Sequence, residues 1–162
     1  MLFTPMTRKA MTLAYNAHHG QLDRAGVPYI FHPARVASGF MQETEACVAW
    51  LHDVVEDTAC TLDDLRRAGF SDEICDAAGL MTHDKRVSYA DYVKEIAKDP
   101  VAKAVKMADL RDNMDISRLP EPDEKAEDRL RKYRAAYSYL NGDLNAFDED
   151  RGLALQQGSG KK

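Results

Sequence analysis

Apolar side chains recur every three or four residues through most of this chain, which is the spacing of an amphipathic α-helix. In the first such segment the recurring positions are Ala10, Leu13, Ala14 and Ala17. Thr4 and Pro5 precede this segment and Gly20 follows it. A cap residue followed by proline is typical of a helix start, and glycine is typical of a helix end. The pattern therefore predicts a helix between Pro5 and Gly20.

The same reasoning predicts helices along the rest of the chain. The main segments are a loop over 21–33, a short helix from Pro33 to about Phe40, a central helix over 44–57, and two longer helices over about 101–114 and 124–140. Thr61 and Ser88 each precede an aspartate by three residues, an arrangement typical of capped helix starts. We find no convincing alternation of period two and no internal repeat. We therefore expect an all-α fold, a single helical bundle of about seven to eight helices.

Length, charge and hydropathy narrow the class of protein. The chain has 162 residues, which predicts one domain, placed here over 1–143, with 144–162 as a flexible C-terminal tail. Its formal net charge of -5 argues against a nucleic-acid partner bound through a basic surface. It has no apolar run long enough to span a membrane. Its three cysteines show no disulfide or metal-binding spacing, and we expect a cytoplasmic protein.

The predicted central helix over 44–57 contains charges that its apolar surroundings do not explain. It carries His52, Asp53, Glu56 and Asp57. Burying an unpaired carboxylate costs several kcal/mol, so these groups need compensation. A divalent cation would provide it. The alternative is that Glu56 and Asp57 form a solvated helix end while Asp53 pairs with an arginine.

Two further positions favour a metal site. His32 lies at a helix entry before Pro33, and Asp109 lies on a mostly apolar helix. Together with His52 and Asp53 they form a set of two histidines and two carboxylates from three segments. Mixed nitrogen and oxygen ligands suit Mn²⁺, Fe²⁺ or Zn²⁺ better than Ca²⁺.

Three sequence segments resemble a known family. They are AHHGQLDRAGVPYIFHP, WLHDVVEDT and VKMADLRDNMD, in this order. They resemble the HD-domain hydrolases of the RelA/SpoT type, and most of all the stand-alone small alarmone hydrolases, the Mesh1-like group. The resemblance covers roughly residues 5–140. Because no synthetase segment follows, a bifunctional enzyme is not expected.

The resemblance implies a reaction and a role for six residues. The family holds one Mn²⁺ with two histidines and two aspartates, which match His32, His52, Asp53 and Asp109. Such a metal lowers the pKa of a bound water and polarises the phosphoryl group under attack. The Glu-Asp pair that orients this water and takes its proton matches Glu56 and Asp57. The implied activity is that of a guanosine-3′,5′-bis(diphosphate) 3′-pyrophosphohydrolase, which releases pyrophosphate and GDP or GTP.

Three more residues match substrate contacts of the family. Arg24 would bind phosphate, Asn113 would contact the sugar hydroxyls, and Tyr133 would line the nucleotide pocket. Each has a structural alternative: a solvated loop charge for Arg24, a capping side chain for Asn113 and a core position for Tyr133. The resemblance also matches His18 and Lys106, which we interpret as structural.

At one position the chain differs from the family, and this difference leaves the purine of the substrate open. The family's first loop normally carries a basic residue before Arg24, where this chain has Asp23. That basic residue packs on the purine in relatives, so adenosine analogues of the guanosine substrates stay possible here. The alternatives are an HD-type phosphatase of another phosphorylated nucleotide, such as NADPH, and a non-catalytic alarmone-binding sensor. The sequence does not indicate the oligomeric state.

Overall fold

The structure is a computed structural model, and it describes residues 1–118 and 124–147. The helices in these ranges are α1 Pro5–Ala17, α2 Phe31–Ser38, α3 Glu43–Leu51, α4 Val54–Asp57, α5 Leu62–Arg67, α6 Asp72–Met81, α7 Tyr89–Ile96, α8 Pro100–Met114 and α9 Glu124–Leu140, with a short 3-10 turn at Ile116–Arg118. The described part of the chain contains no strand, only one isolated β-bridge between Leu22 and Pro28. The predicted all-α fold is confirmed.

Helix α3 is the centre of the bundle. It packs against α1, α2, α6 and α8, and every residue over 46–51 is buried. A helix that is apolar on all sides must be covered on all sides. Helices α2 and α8, which also pack on each other, are therefore held next to each other against α3.

The predicted central helix over 44–57 is interrupted at the two residues that carry the candidate chemistry. His52 and Asp53 form a turn between α3 and α4. The Nδ1 atom of His52 lies 2.8 Å from the Ala49 carbonyl oxygen, which the amide of Asp53 would bind in a continuous helix. The imidazole thus replaces a backbone donor, and the helix breaks there.

Two residues of the expected tail contact the bundle. Ala146 is buried, and the Phe147 ring packs against Tyr139 with centroids 5.4 Å apart, while the domain boundary at residue 143 stays a prediction. The rest of that tail, 148–162, lies outside the described residues. Within the described ranges, the helices are too short or too polar to cross a membrane.

Candidate metal centre

Four predicted ligands meet where α2, the turn after α3, and α8 come together. His32 lies in the first turn of α2, His52 and Asp53 form the turn, and Asp109 lies on α8. Three of these residues are buried, with exposed fractions of 6% for His32, 1% for His52 and 4% for Asp109. His32 and Asp109 are 77 positions apart in the sequence. They meet because α2, α3 and α8 all pack on one another.

The ring nitrogens of the two histidines face each other. His32 Nε2 lies 3.2 Å from His52 Nε2 and 3.1 Å from Asp109 Oδ1. His52 Nε2 lies 3.1 Å from Asp53 Oδ2. His32, His52 and Asp109 each offer one ligand atom, and these atoms lie within 4.8 Å of one another.

The other ring nitrogens determine which tautomers are present. His52 Nδ1 contacts the carbonyl of Ala49, which only accepts hydrogen bonds, so Nδ1 carries the proton. His32 Nδ1 lies 2.7 Å from a carboxylate oxygen of Asp112 and donates to it in the same way. In their neutral form, which metal binding requires, both rings would therefore direct an Nε2 lone pair at the same point. Two such lone pairs and the Asp109 carboxylate fit a divalent cation, with Asp53 beside them.

Asp112 and Arg35 form a second layer behind His32. The Arg35 guanidinium donates to both oxygens of Asp112, at 2.6 Å and 3.0 Å. Burial raises the pKa of Asp112, but the hydrogen bonds from His32 and Arg35 outweigh it and hold the pKa below its usual range. The carboxylate therefore stays charged and fixes the orientation of the imidazole, as carboxylates behind metal-binding histidines do.

Tyr29 supports Asp53 from the loop before α2. Its hydroxyl donates to Asp53 Oδ2 at 2.5 Å. Burial, and then the charge of Asp53, raise the pKa of Tyr29 far above its usual value, so the hydroxyl stays a donor. Among the described residues no arginine pairs with Asp53, so the alternative that an arginine compensates its charge has no support there.

The acidic and basic groups of the centre shift one another strongly. Burial lowers the pKa of His52, but the carboxylates of Asp53 and Asp109 outweigh burial and the net pKa lies well above the ordinary value. Burial alone would raise the pKa of Asp109, but Lys106 and the two histidines hold it well below the ordinary value. The centre without metal therefore favours protonated imidazoles beside charged carboxylates. A bound cation would take the place of the imidazole protons.

Asp109 has two further partners on its own helix. Lys106 Nζ lies 2.9 Å from Asp109 Oδ2, and Asn113 Nδ2 donates to Asp109 Oδ1 at 2.5 Å. Lys106 is thus in a structural ion pair, as expected. Asn113 does not cap a helix, which was the structural alternative for this residue. Its side chain connects the metal-facing carboxylate of Asp109 to the cavity.

A cavity of about 470 Å³ opens directly over the centre. The predicted water-activating residues Glu56 and Asp57 line it, as do the predicted substrate residues Arg24, Asn113 and Tyr133. The structure therefore brings together all nine predicted site residues, while the role of each stays a prediction. His18, which we interpreted as structural, contacts Gln21 Oε1 through Nδ1 at 2.8 Å.

Glu56 and Asp57 differ in their surroundings. Glu56 Oε2 accepts a hydrogen bond of 2.9 Å from the backbone N–H of His83, which orients the side chain. Burial, and then the charges of Asp53 and Glu56, raise the pKa of Asp57. A carboxylate with a raised pKa is a better proton acceptor near neutral pH than an ordinary one.

Sequence reasoning missed three supporting residues, Tyr29, Arg35 and Asp112. A signal was present for two of them. Arg35 follows His32 by three residues on α2, and Asp112 follows Asp109 by three residues on α8. Residues three apart share a helix face. Arg35 therefore faces the same way as His32, and Asp112 faces the same way as Asp109.

The chain is similar to proteins described as GTP pyrophosphokinases and as (p)ppGpp synthase/hydrolases. It is 33% identical over 134 residues to a probable GTP pyrophosphokinase of Mycobacterium leprae, matching 75% of this chain and 17% of that protein. It is 30% identical over 133 residues to the bifunctional (p)ppGpp synthase/hydrolase SpoT of Escherichia coli K12, matching 73% of this chain and 19% of that protein. The chain thus spans less than a fifth of the length of these curated relatives. No family model matches.

A solved structure shares the fold over nearly the whole chain. It is that of a metazoan ortholog of SpoT, described as hydrolysing ppGpp and playing a role in starvation responses. It superposes with a TM-score of 0.72 at 22% identity and covers 94% of this chain and 99% of its own. At this identity the match shows a shared fold.

Proposed function

We propose, from the premise that this chain belongs to the RelA/SpoT type of HD-domain proteins, that it is a metal-dependent 3′-pyrophosphohydrolase of guanosine tetra- and pentaphosphate. One observation carries the proposal. Two imidazoles and the Asp109 carboxylate offer ligand atoms within 4.8 Å of one another, with Asp53 beside them, at the floor of a cavity of about 470 Å³ whose wall carries two more carboxylates. This arrangement suits hydrolysis of a phosphate ester better than binding alone, because a pure binder has no need of Glu56 and Asp57.

The predicted ligands would hold one divalent metal, and we propose Mn²⁺. His32, His52, Asp53 and Asp109 supply nitrogen and oxygen donors without cysteine, a set that suits this ion. When bound, such a metal lowers the pKa of water and polarises a phosphoryl oxygen.

The chain's own carboxylates would manage the proton of the attacking water. Asp57 takes a proton from the water while Glu56, held by the His83 N–H, keeps the water oriented. A bond forms between the water oxygen and the phosphorus next to the 3′ oxygen, and the bond from that phosphorus to the 3′ oxygen breaks. The electron pair stays on the 3′ oxygen, which receives the proton that Asp57 took from the water. The products are pyrophosphate and GDP or GTP.

Substrate side chains would come from three elements around the cavity. Arg24 would bind phosphate from the loop after α1, Asn113 would contact the ribose from α8, and Tyr133 would pack against the nucleotide from α9. A guanidinium can bind two phosphate oxygens at once, which supports the role of Arg24. Tyr133 also packs on the hydrophobic core, so its ring is held in place where it borders the cavity.

The loop after α1 does not determine whether the substrate carries guanine or adenine. Asp23 Oδ1 accepts hydrogen bonds from the backbone amides of Ala25 and Val27, at 2.9 Å and 3.0 Å. The carboxylate therefore closes the turn of the loop, where relatives place a cation on the base. Adenosine tetraphosphate belongs in every assay beside the guanosine compound for this reason.

Product analysis tests the proposal. The purified chain with Mn²⁺ is incubated with guanosine and adenosine tetraphosphates and with NADPH, and the products are separated by anion exchange. Pyrophosphate from a tetraphosphate is the expected result. Release of a single phosphate from NADPH supports the phosphatase alternative, and binding of a tetraphosphate without any product supports the sensor. Either result, with no pyrophosphate released from guanosine tetraphosphate, would reject the proposed activity.

A further inference from the structure

A lysine that forms no ion pair within the described residues borders the cavity on the side of α7 and α9. Lys132 lies on α9 and is one of the residues that line the cavity. Its Nζ atom lies 3.8 Å from the centroid of the Tyr89 ring. Within 1–118 and 124–147, no carboxylate forms an ion pair with it. A cation on an aromatic face is held in place while its charge stays available to an anion.

The neighbouring lysine is already engaged. Lys106 Nζ pairs with Asp109 and also lies 5.4 Å from the centroid of the Tyr92 ring. Burial, and then the charge of Lys106, lower the pKa of Lys132, while the charge of Glu56 partly offsets them. This part of the cavity wall therefore carries two cations, and among the described residues only Lys106 forms an ion pair with a carboxylate. An anion placed there would relieve the repulsion between them.

A hydroxyl on the same wall lacks a partner in the part of the chain that the structure describes. The Tyr89 Oη atom is buried and makes no hydrogen bond there. Burial raises the pKa of Tyr89 to about 12, so the group is a donor at neutral pH. A buried donor without an acceptor costs free energy, and a bound phosphate oxygen would be such an acceptor.

We infer that Lys132, with Tyr89, binds the terminal phosphoryl of a diphosphate arm of the substrate. The inference rests on the proposed function, in which the phosphoryl under attack lies at the metal centre. A second phosphoryl then needs its own cation, and Lys106 is occupied by Asp109. Lys132 would thus help the cavity to distinguish a diphosphate from a single phosphate. The arm could be the 3′ diphosphate that is released or the 5′ diphosphate that stays on the nucleoside.

Binding of inorganic pyrophosphate tests the subsite without turnover. Calorimetry on the full chain, kept metal-free with a chelator, compares the unaltered protein with Lys132→Gln, Lys132→Arg and Lys125→Gln. Lys125 is an exposed lysine of the same helix that does not line the cavity. We expect Lys132→Gln to weaken pyrophosphate binding about tenfold, because a charge-assisted hydrogen bond is lost. The other two variants should bind as the unaltered protein does.

Two results would overturn the inference: equal pyrophosphate affinity in the unaltered protein and Lys132→Gln, or no pyrophosphate binding by the unaltered protein. Tyr89→Phe gives an independent check, because it removes only the unpartnered hydroxyl. It should weaken pyrophosphate binding without lowering the melting temperature.

Steady-state kinetics then identifies the arm. Lys132→Gln should raise KM for guanosine tetraphosphate about tenfold with little change in kcat. If the rise persists when the 5′ diphosphate is shortened to a monophosphate, Lys132 binds the 3′ arm, and if it disappears, Lys132 binds the 5′ arm. An unchanged KM for both substrates contradicts the inference. A wild-type chain that releases no pyrophosphate rejects the proposed function, while the calorimetry still decides this subsite.

Discussion

His32 and Asp112 are joined by a hydrogen bond of 2.7 Å between the Nδ1 atom and a carboxylate oxygen, although 80 residues separate them. Arg35 holds the same carboxylate through two hydrogen bonds. The chain Arg35–Asp112–His32 therefore fixes the ring so that Nε2 points at His52 and Asp109. The orientation of a candidate ligand is set by two residues that do not reach the metal point themselves.

Removal of the Asp112 carboxylate should weaken metal binding without removing a ligand. We expect Asp112→Ala to reduce Mn²⁺ affinity by about 10- to 100-fold, the usual effect of losing a supporting carboxylate. Calorimetric titration of the metal-free protein measures it. Asp76→Ala is the matched control, because Asp76 also pairs with an arginine but lies on the surface. Equal Mn²⁺ affinity in Asp112→Ala and the unaltered protein would show that His32 needs no support.

The pair of Lys106 and Asp109 gives a prediction about stability. Asp109→Asn leaves Lys106 largely buried without its counter-charge, since only 12% of its side chain is exposed. Breaking one side of such a pair costs about 3–5 kcal/mol. Chemical denaturation of the metal-free chain should show a loss of this size, and the double variant Asp109→Asn/Lys106→Met should recover part of it. A double variant as unstable as the sum of the two single variants would contradict this account.

Glu56 gives a prediction about turnover alone. Glu56→Gln keeps the hydrogen bond from the His83 N–H but removes the negative charge. We expect the rate of pyrophosphate release to fall by about 10²-fold, because the attacking water loses the carboxylate that orients it. Mn²⁺ affinity and melting temperature should not change. Glu73→Gln, at an exposed acid of α6, should keep the full rate, and a Glu56→Gln enzyme with a near-normal rate would remove Glu56 from the mechanism.

The fold and the ligand set could be predicted from the sequence for different reasons. Helical spacing and caps predicted the last helix over 124–140 with the bounds that the structure gives it. The unexplained charges at His52 and Asp53 predicted a buried site, because burial of such charges needs compensation. The break of the central helix at these residues could not be predicted, since it depends on one side-chain hydrogen bond to Ala49 that spacing does not show.

The supporting contacts were harder to predict because they join distant segments. Tyr29 meets Asp53, and Asp112 meets His32, only after the helices have packed. Lys132 gave no signal at all, because one lysine on an amphipathic helix is usually a solvated charge. Its position over Tyr89 at the cavity wall is a property of the packed structure of α7 against α9.

The raised pKa values of the two histidines predict how pH affects the stability of the metal-free chain. Burial lowers the pKa of His32, but the hydrogen bonds to Asp109 and Asp112 outweigh it and raise the pKa above the ordinary value; that of His52 is raised as well. Protonated histidine therefore favours the folded state. This contribution is complete below the unfolded pKa of about 6.5 and is lost as pH rises through the folded pKa values.

We therefore expect the melting temperature of the chelator-treated chain to fall as pH rises above about 6.5. Saturating Mn²⁺ should remove this fall, because the metal displaces the same protons. Thermal denaturation in matched buffers between neutral and mildly alkaline pH measures both curves. His19→Gln, at an exposed histidine, should leave them unchanged. A metal-free melting temperature that is constant or rises over this interval would show that the two imidazoles are not held protonated by their carboxylates.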